Sequence, residues 1–144
     1  MQAIRSFLIV LFMAVASTAV AQQTISISEL VNTKWRVENN WISDYKEYTL
    51  TEIIWKRKDG SFFKYPYYLT DTPVTSYDKS AFDYSKVGKT KKGSYMVSIN
   101  EKMGIVYCAS IESFDKKKGV LVIKVVTQGL IGASGGIERY KLVK

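Results

Sequence analysis

The stretch Tyr95-Met-Val-Ser-Ile-Asn-Glu-Lys-Met-Gly-Ile-Val-Tyr-Cys-Ala-Ser-Ile111 decides how this chain folds. Tyr95, Val97 and Ile99 alternate with Met96, Ser98 and Asn100, a period of two that places successive side chains on opposite faces of a strand. Asn100 to Gly104 then turns the chain, and Ile105, Tyr107, Ala109 and Ile111 share one parity of the next run. Two such runs around a short glycine-containing turn predict an antiparallel hairpin.

Working outward, the same period recurs. Trp35 and Val37 alternate with Lys34, Arg36 and Glu38. In the next segment Tyr48, Leu50 and Ile54 take one parity while Ile53 and Trp55 take the other, which predicts a bulge or bend near Thr51-Glu52. Lys58-Asp-Gly60 is a turn, and Phe63, Tyr65, Tyr67 and Leu69 follow on one face. Pro66 lies on the other face, and proline cannot donate to a ladder, so this strand is expected at an edge or broken there. Lys116 to Gly119 forms another turn. Val120 to Thr127 is apolar on both parities apart from Lys124, as expected of a strand covered on both sides, and in Ile137 to Val143 Tyr140 and Leu142 oppose Arg139 and Lys141. The glycine-rich Gly129 to Gly136 reads as a hairpin connection or a loop cradling a ligand.

Helical signals are few. Ser26-Ile-Ser-Glu29 fits a capping box leading into Leu30 and Val31, and Thr75 to Lys86 supports one or two helical turns within a long connection. The result is an all-β chain of about seven to eight strands with mostly short turns and a helical turn before the first strand. Such spacing predicts an antiparallel up-and-down barrel or a sandwich, and barrel closure removes exposed edges.

The N-terminus is of another kind. Arg5 precedes the apolar run Ser6 to Val15, and Ala19-Val20-Ala21 has the small-x-small form of a signal peptidase site, so residues 1–21 read as a cleavable signal peptide and 22–144 as the mature domain. The apolar core is shorter than the roughly 20 residues a membrane span requires, so no transmembrane segment is expected after cleavage. The protein is therefore expected outside the cytoplasm, in the periplasm or secreted. Its lone cysteine, Cys108, cannot form an internal disulfide and reads as a buried thiol in an apolar strand. The formal net charge is +8, one unit of it from Arg5. This balance serves solubility and favours anionic partners, with an anionic envelope surface such as lipid headgroups or acidic polysaccharide preferred over nucleic acid.

The segments Leu30-Val-Asn-Thr-Lys-Trp-Arg-Val37, Trp55-Lys-Arg-Lys-Asp-Gly-Ser-Phe62 and Glu138-Arg-Tyr-Lys-Leu142 together resemble the small lipocalin-like (calycin-type) domains of exported bacterial proteins. Where that family opens its first strand with Gly-x-Trp, this chain has Thr33-Lys34-Trp35. The resemblance implies a ligand-binding barrel in which Trp35 plugs one end and an arginine from a late strand, here Arg139, stacks over it.

Chemistry is restricted by what the chain lacks. It contains no histidine, which removes the commonest general base and imidazole-based nucleophile activation or metal ligation. Val87-Gly-Lys-Thr90 ends like a phosphate-binding loop, but Asp83 stands where the first glycine belongs. Glu47, Glu52, Glu101 and Glu112 are scattered and read as solvated strand residues. No catalytic residue, metal or cofactor is therefore assigned. Tyr65, Tyr67, Tyr95 and Tyr107 are the candidate interior residues, each offering a flat apolar ring and a hydroxyl that needs a partner when buried. The expected function is non-enzymatic binding of a small hydrophobic or amphipathic molecule in the barrel. The alternative is a filled β-domain that acts through its surface as an envelope or extracellular interaction or inhibitor module, with Trp41, Tyr45 and Phe62 as exposed candidates.

Overall fold

A computed structural model describes residues 22–38, 44–128 and 136–144. The signal-like residues 1–21, Trp41 and residues 129–135 of the glycine-rich stretch lie outside the described residues. The strands are β1 (Ile25–Ser26), β2 (Thr33–Val37), β3 (Tyr45–Tyr48), β4 (Glu52–Lys56), β5 (Phe62–Thr70), β6 (Lys92–Gly93), β7 (Tyr95–Asn100), β8 (Ile105–Asp115), β9 (Val120–Gln128) and β10 (Ile137–Leu142), with one turn of α-helix, α1, at Ile27–Leu30 among the described residues. Eight of them close into an antiparallel up-and-down barrel in the order β2-β3-β4-β5-β7-β8-β9-β10. Closure is made by β10 returning to β2, where Tyr140 faces Val37 and Leu142 faces Trp35. β1 and β6 form a separate short ladder.

Because neighbours are antiparallel, the barrel has two distinct ends. At one, α1 leads into the start of β2; its Ser26 backbone N–H donates to Glu29 Oε2 at 3.0 Å, the reciprocal bond of a capping box. Leu30 from this turn is fully buried in the interior cluster. At the opposite end, the mouth, lie the ends of β2, β4, β7 and β9 and the starts of β3, β5, β8 and β10.

The barrel has a core on each side of its wall. Inside, Trp35, Tyr48, Tyr67, Leu69, Ile111 and Leu121 belong to one buried cluster. Outside, the long connection from β5 to β6, which contains two 3₁₀ turns at Lys79–Ala81 and Tyr84–Lys86, lays Val74, Phe82 and Val87 over Tyr68, Val97, Ile99, Val106 and Cys108. Backbone pairing fastens this cover: Val106 N–H donates to the Tyr77 carbonyl at 2.9 Å, and Thr127 Oγ1 donates to the Val74 carbonyl at 3.0 Å.

This second core corrects the face assigned to β7. Met96 points into the barrel and belongs to the interior cluster, whereas Val97 and Ile99 belong with Tyr95 to the outer one. Alternation identifies the more apolar face but cannot say what covers it, and here the cover comes from a distant connection. Val97 and Ile99 remain excluded from water.

Two further differences concern turns. The expected bulge near Thr51-Glu52 is a complete hairpin between β3 and β4, in which Thr49 N–H donates to the Glu52 carbonyl at 2.9 Å and Thr49 Oγ1 accepts from Glu52 N–H at 2.9 Å. That turn lets both Tyr48 and Ile53 face inward and leaves Leu50 exposed. Bulges occur instead in β8, at Cys108/Ala109 and Ile111/Ser113. Beside the second, Gln23 takes up backbone groups of Phe114: its Nε2 donates to the Phe114 carbonyl at 3.0 Å and its Oε1 accepts from Phe114 N–H at 2.9 Å. Pro66 sits within a strand that has neighbours on both sides. It pairs with Glu52 of β4, while the ladder to β7 begins only at Tyr67, so the missing donor falls where that ladder stops.

Gly93 is where the chain returns over β5. A Cβ there would lie 2.4 Å from the Thr70 nitrogen and 2.5 Å from its carbonyl oxygen, and backbone cannot move aside as a flexible side chain can. Gly93→Ala is expected to separate β6 from β5 and cost roughly 1–3 kcal/mol, the usual range for overpacking, read as a lower midpoint in thermal or urea unfolding followed by circular dichroism.

Candidate functional site in the barrel interior

Side chains directed inward are not equally buried along the barrel axis. Toward α1, Trp35, Tyr48, Tyr67 and Leu69 are fully buried, so this part of the interior is filled. Toward the mouth, Val37, Lys46, Trp55, Tyr65, Tyr107 and Glu138 also belong to the inward parity, yet each retains solvent-accessible surface. Register explains their meeting. Trp35 of β2 faces Lys46 of β3, and Lys46 faces Trp55 of β4, which faces Phe63 of β5. Cross-strand partners share a face, so a lysine is carried into the interior beside aromatic rings.

The polar groups at this level form one connected chain. Lys46 Nζ donates to Tyr140 Oη at 2.9 Å, Tyr140 Oη donates to Glu138 Oε2 at 2.5 Å, and Tyr107 Oη donates to the same carboxylate oxygen at 3.4 Å. The ammonium also lies 5.4 Å from the centre of the Trp55 ring and 5.0 Å from that of Tyr140. Trp55 is held in place by its Nε1–H, which donates to Asp44 Oδ2 at 2.9 Å. An ammonium removed from water is costly unless compensated. Here the compensation is a carboxylate reached through a phenol, supplemented by the ring faces.

Burial lowers the Lys46 pKa from the ordinary lysine value, with the charge of Glu138 acting against that shift. Burial raises the Tyr140 and Tyr107 phenols far above the usual tyrosine range, and the neighbouring Glu138 charge adds to it. Tyr48 and Tyr67 are raised chiefly by burial as well.

The four candidate tyrosines are placed differently. Tyr65 points inward near the mouth and lies nearly parallel to Phe63, with ring centres 6.4 Å apart. Tyr67 is part of the filled region: it meets Tyr48 edge-on at 5.8 Å, and its hydroxyl donates to the Thr49 carbonyl at 2.6 Å. Tyr107 belongs to the polar chain. Tyr95 does not join them, because it packs on the outer core.

The expected Trp35–Arg139 stack is also corrected. Arg139 is exposed on the outer parity opposite Val122, between the inward Glu138 and Tyr140. Trp35 instead packs against Phe114 with ring centres 5.7 Å apart, and its Nε1–H donates to Thr33 Oγ1 at 2.7 Å.

Lys46, Trp55, Glu138 and Tyr140 are the functional candidates that sequence reading passed over. The parity of Tyr140 and Leu142 was a usable signal, since Glu138 shares it. Lys46 gave none by itself, because Tyr45-Lys-Glu-Tyr48 resembles a solvated strand until the β2–β3 register is known. Comparison of the chain with protein-family models, curated proteins and solved structures finds no match.

The tyrosines make the alkaline limb of stability predictable. A phenol whose folded pKa stands above its unfolded value binds more protons folded than unfolded above about pH 10, so stability is full below that pH and falls as the pH rises further. Tyr48, Tyr67, Tyr107 and Tyr140 all act in this direction. Lys46, with its lowered pKa, acts oppositely between its folded value and the ordinary lysine value. The net expectation is loss of stability above about pH 10, each unit of tyrosine shift removing at most about 1.4 kcal/mol. In a titration at 295 nm, the buried phenols of Tyr48, Tyr67 and Tyr140 should ionise only together with loss of the circular dichroism signal; their ionisation in a chain that keeps its β signal would contradict their burial.

Proposed function

We propose that the chain is an exported, lipocalin-like binding module that holds a small hydrophobic or amphipathic molecule at the mouth of its barrel without chemical turnover. The observation that carries this reading is the partial exposure of inward-facing Lys46, Trp55, Tyr65, Tyr107 and Glu138 above a fully buried floor. Ligand sites are typically concave and aromatic-lined, with a few polar groups that fix orientation. Trp55, Tyr65 and Phe63 would receive the apolar body, and Lys46 would donate to an oxygen of the head group.

Several features support the remaining parts of the reading. The eight-stranded up-and-down closure and the position of Trp35 on the first barrel strand agree with the lipocalin-like resemblance. The outer parity of β2 to β4 carries the ion pairs Lys34–Glu47 at 3.0 Å and Lys56–Glu47 at 3.1 Å, the reverse of a membrane barrel, whose outward band is apolar. Gln23 is already bonded to β8, so a chain beginning at Gln22 keeps the described contacts. The Glu138 carboxylate accepts from two phenols, an arrangement suited to holding Lys46 in place.

The binding test uses 11-(dansylamino)undecanoic acid, an amphipathic fluorescent probe. Saturable one-to-one binding is expected, with Lys46→Met raising Kd about tenfold, which corresponds to about 1.4 kcal/mol, and Arg139→Ala leaving it unchanged. No saturable binding of the probe, together with nothing retained from a lipid extract in native mass spectrometry, would overturn the reading. Export has its own check: protein recovered from the periplasm or medium of an expressing bacterium should begin at Gln22 by N-terminal sequencing.

A further inference from the structure

The hairpin between β4 and β5 leaves two adjacent phenylalanines unburied. Phe62 and Phe63 are 58% and 41% exposed immediately after a tight turn. In that turn Arg57 N–H donates to the Ser61 carbonyl at 2.9 Å and Gly60 N–H donates to the Arg57 carbonyl at 3.1 Å. Successive strand residues point to opposite faces, so Phe62 stands on the outer side of the wall and Phe63 on the inner side, at the rim. Met103, 67% exposed, and Ile137, 60% exposed, lie at the same end of the barrel. Single exposed apolar residues are ordinary, but four of the large ones are gathered around one end.

Charge around the hairpin is complementary to one kind of partner. The Arg57 guanidinium lies 4.9 Å from the Phe63 ring centre and Lys64 Nζ lies 6.0 Å from that of Phe62, with Lys58 beside them. The one carboxylate of the turn between β4 and β5, Asp59, accepts from Ser61 N–H and Ser61 Oγ, so it is turned into the loop. Rings flanked by cations match the boundary between acyl chains and anionic headgroups, where aromatic side chains enter the apolar layer and basic ones meet phosphate. An acidic polysaccharide would satisfy the cations but provide no apolar phase for Phe62.

We propose that the mouth end of the barrel docks on the surface of an anionic lipid bilayer, with Phe62 and Phe63 entering the headgroup region and Arg57, Lys58 and Lys64 contacting anionic headgroups. This goes beyond the ligand reading and does not depend on it. If both hold, the half-exposed interior opens toward the lipid.

The test is co-sedimentation of the chain from Gln22, which carries every described strand, with vesicles of phosphatidylcholine alone or mixed with phosphatidylglycerol. Binding is expected only with the mixed vesicles, weakened about tenfold by Phe62→Ser and also by Arg57→Glu combined with Lys58→Glu. Phe62 is exposed, so its replacement should leave the circular dichroism melt and the dansyl-probe Kd unchanged, which separates loss of docking from loss of the ligand site. Three results would overturn the proposal: no binding to the mixed vesicles, equal binding by Phe62→Ser and parent, or a response to salt and heparin that ignores Phe62. Self-association abolished by Phe62→Ser without vesicle binding would assign the patch to a second copy of the chain.

Discussion

The structure depends on the seam where β10 returns to β2. Without Tyr140 opposite Val37 and Leu142 opposite Trp35, both strands would present unpaired backbone edges, which are costly and prone to association. The same seam assembles the candidate site. Lys46 lies on β3 and Tyr140 on β10, strands that are separated only by β2, and their bond joins residues 94 positions apart in the chain. A contact of such sequence separation requires large loop-closure entropy before it contributes stability. Barrel closure and site assembly are therefore one event, and the interior polar chain cannot preexist in an open sheet.

The two cores divide the barrel circumferentially. β7 and β8 carry apolar side chains on both faces, because the connection bearing Val74, Phe82 and Val87 supplies a layer outside the wall. Among the described residues no such layer covers β2, β3 and β4, and their outer parity carries exposed or half-exposed ion pairs of modest worth. Packing density thus rests the barrel on its covered side. Lys46 and Trp55 project from the thinner-walled side, where fewer buried neighbours oppose adjustment of the wall.

How much of this was legible in the sequence follows from which interactions are local. Strands were visible wherever one face is apolar and the other solvated, as in Lys34-Trp-Arg-Val37 and Phe63 to Leu69. Parity failed at Tyr95, Val97 and Ile99, because a buried outer face imitates an inner one and the covering segment is distant. The β3–β4 hairpin was hidden in the mixed parity of Tyr48 to Trp55, since Thr49 makes its turn through a hydroxyl without glycine or proline. At the candidate site, Tyr65 and Tyr107 could be found by alternation. Lys46 could not, because its inward direction is a property of register with Trp35. The pairing of Arg139 with Trp35 came from resemblance alone, and the parity of Glu138 and Tyr140 already placed Arg139 on the other face.

An interior lysine and glutamate also bear on whether this end of the barrel is merely unfinished core. Replacing a buried ion pair by well-packed apolar side chains is often neutral or stabilising, and the filled half of this barrel shows that its interior accommodates Trp35, Tyr48 and Tyr67 without any charge. A barrel under pressure for stability alone would continue that packing to the rim. Instead, the chain holds an ammonium between indole and phenol rings, connects it to a carboxylate through the buried Tyr140, and leaves Lys46, Trp55 and Glu138 partly exposed. Such an arrangement sacrifices packing and gains oriented donors and acceptors, and it is on this exchange that the proposed binding function rests.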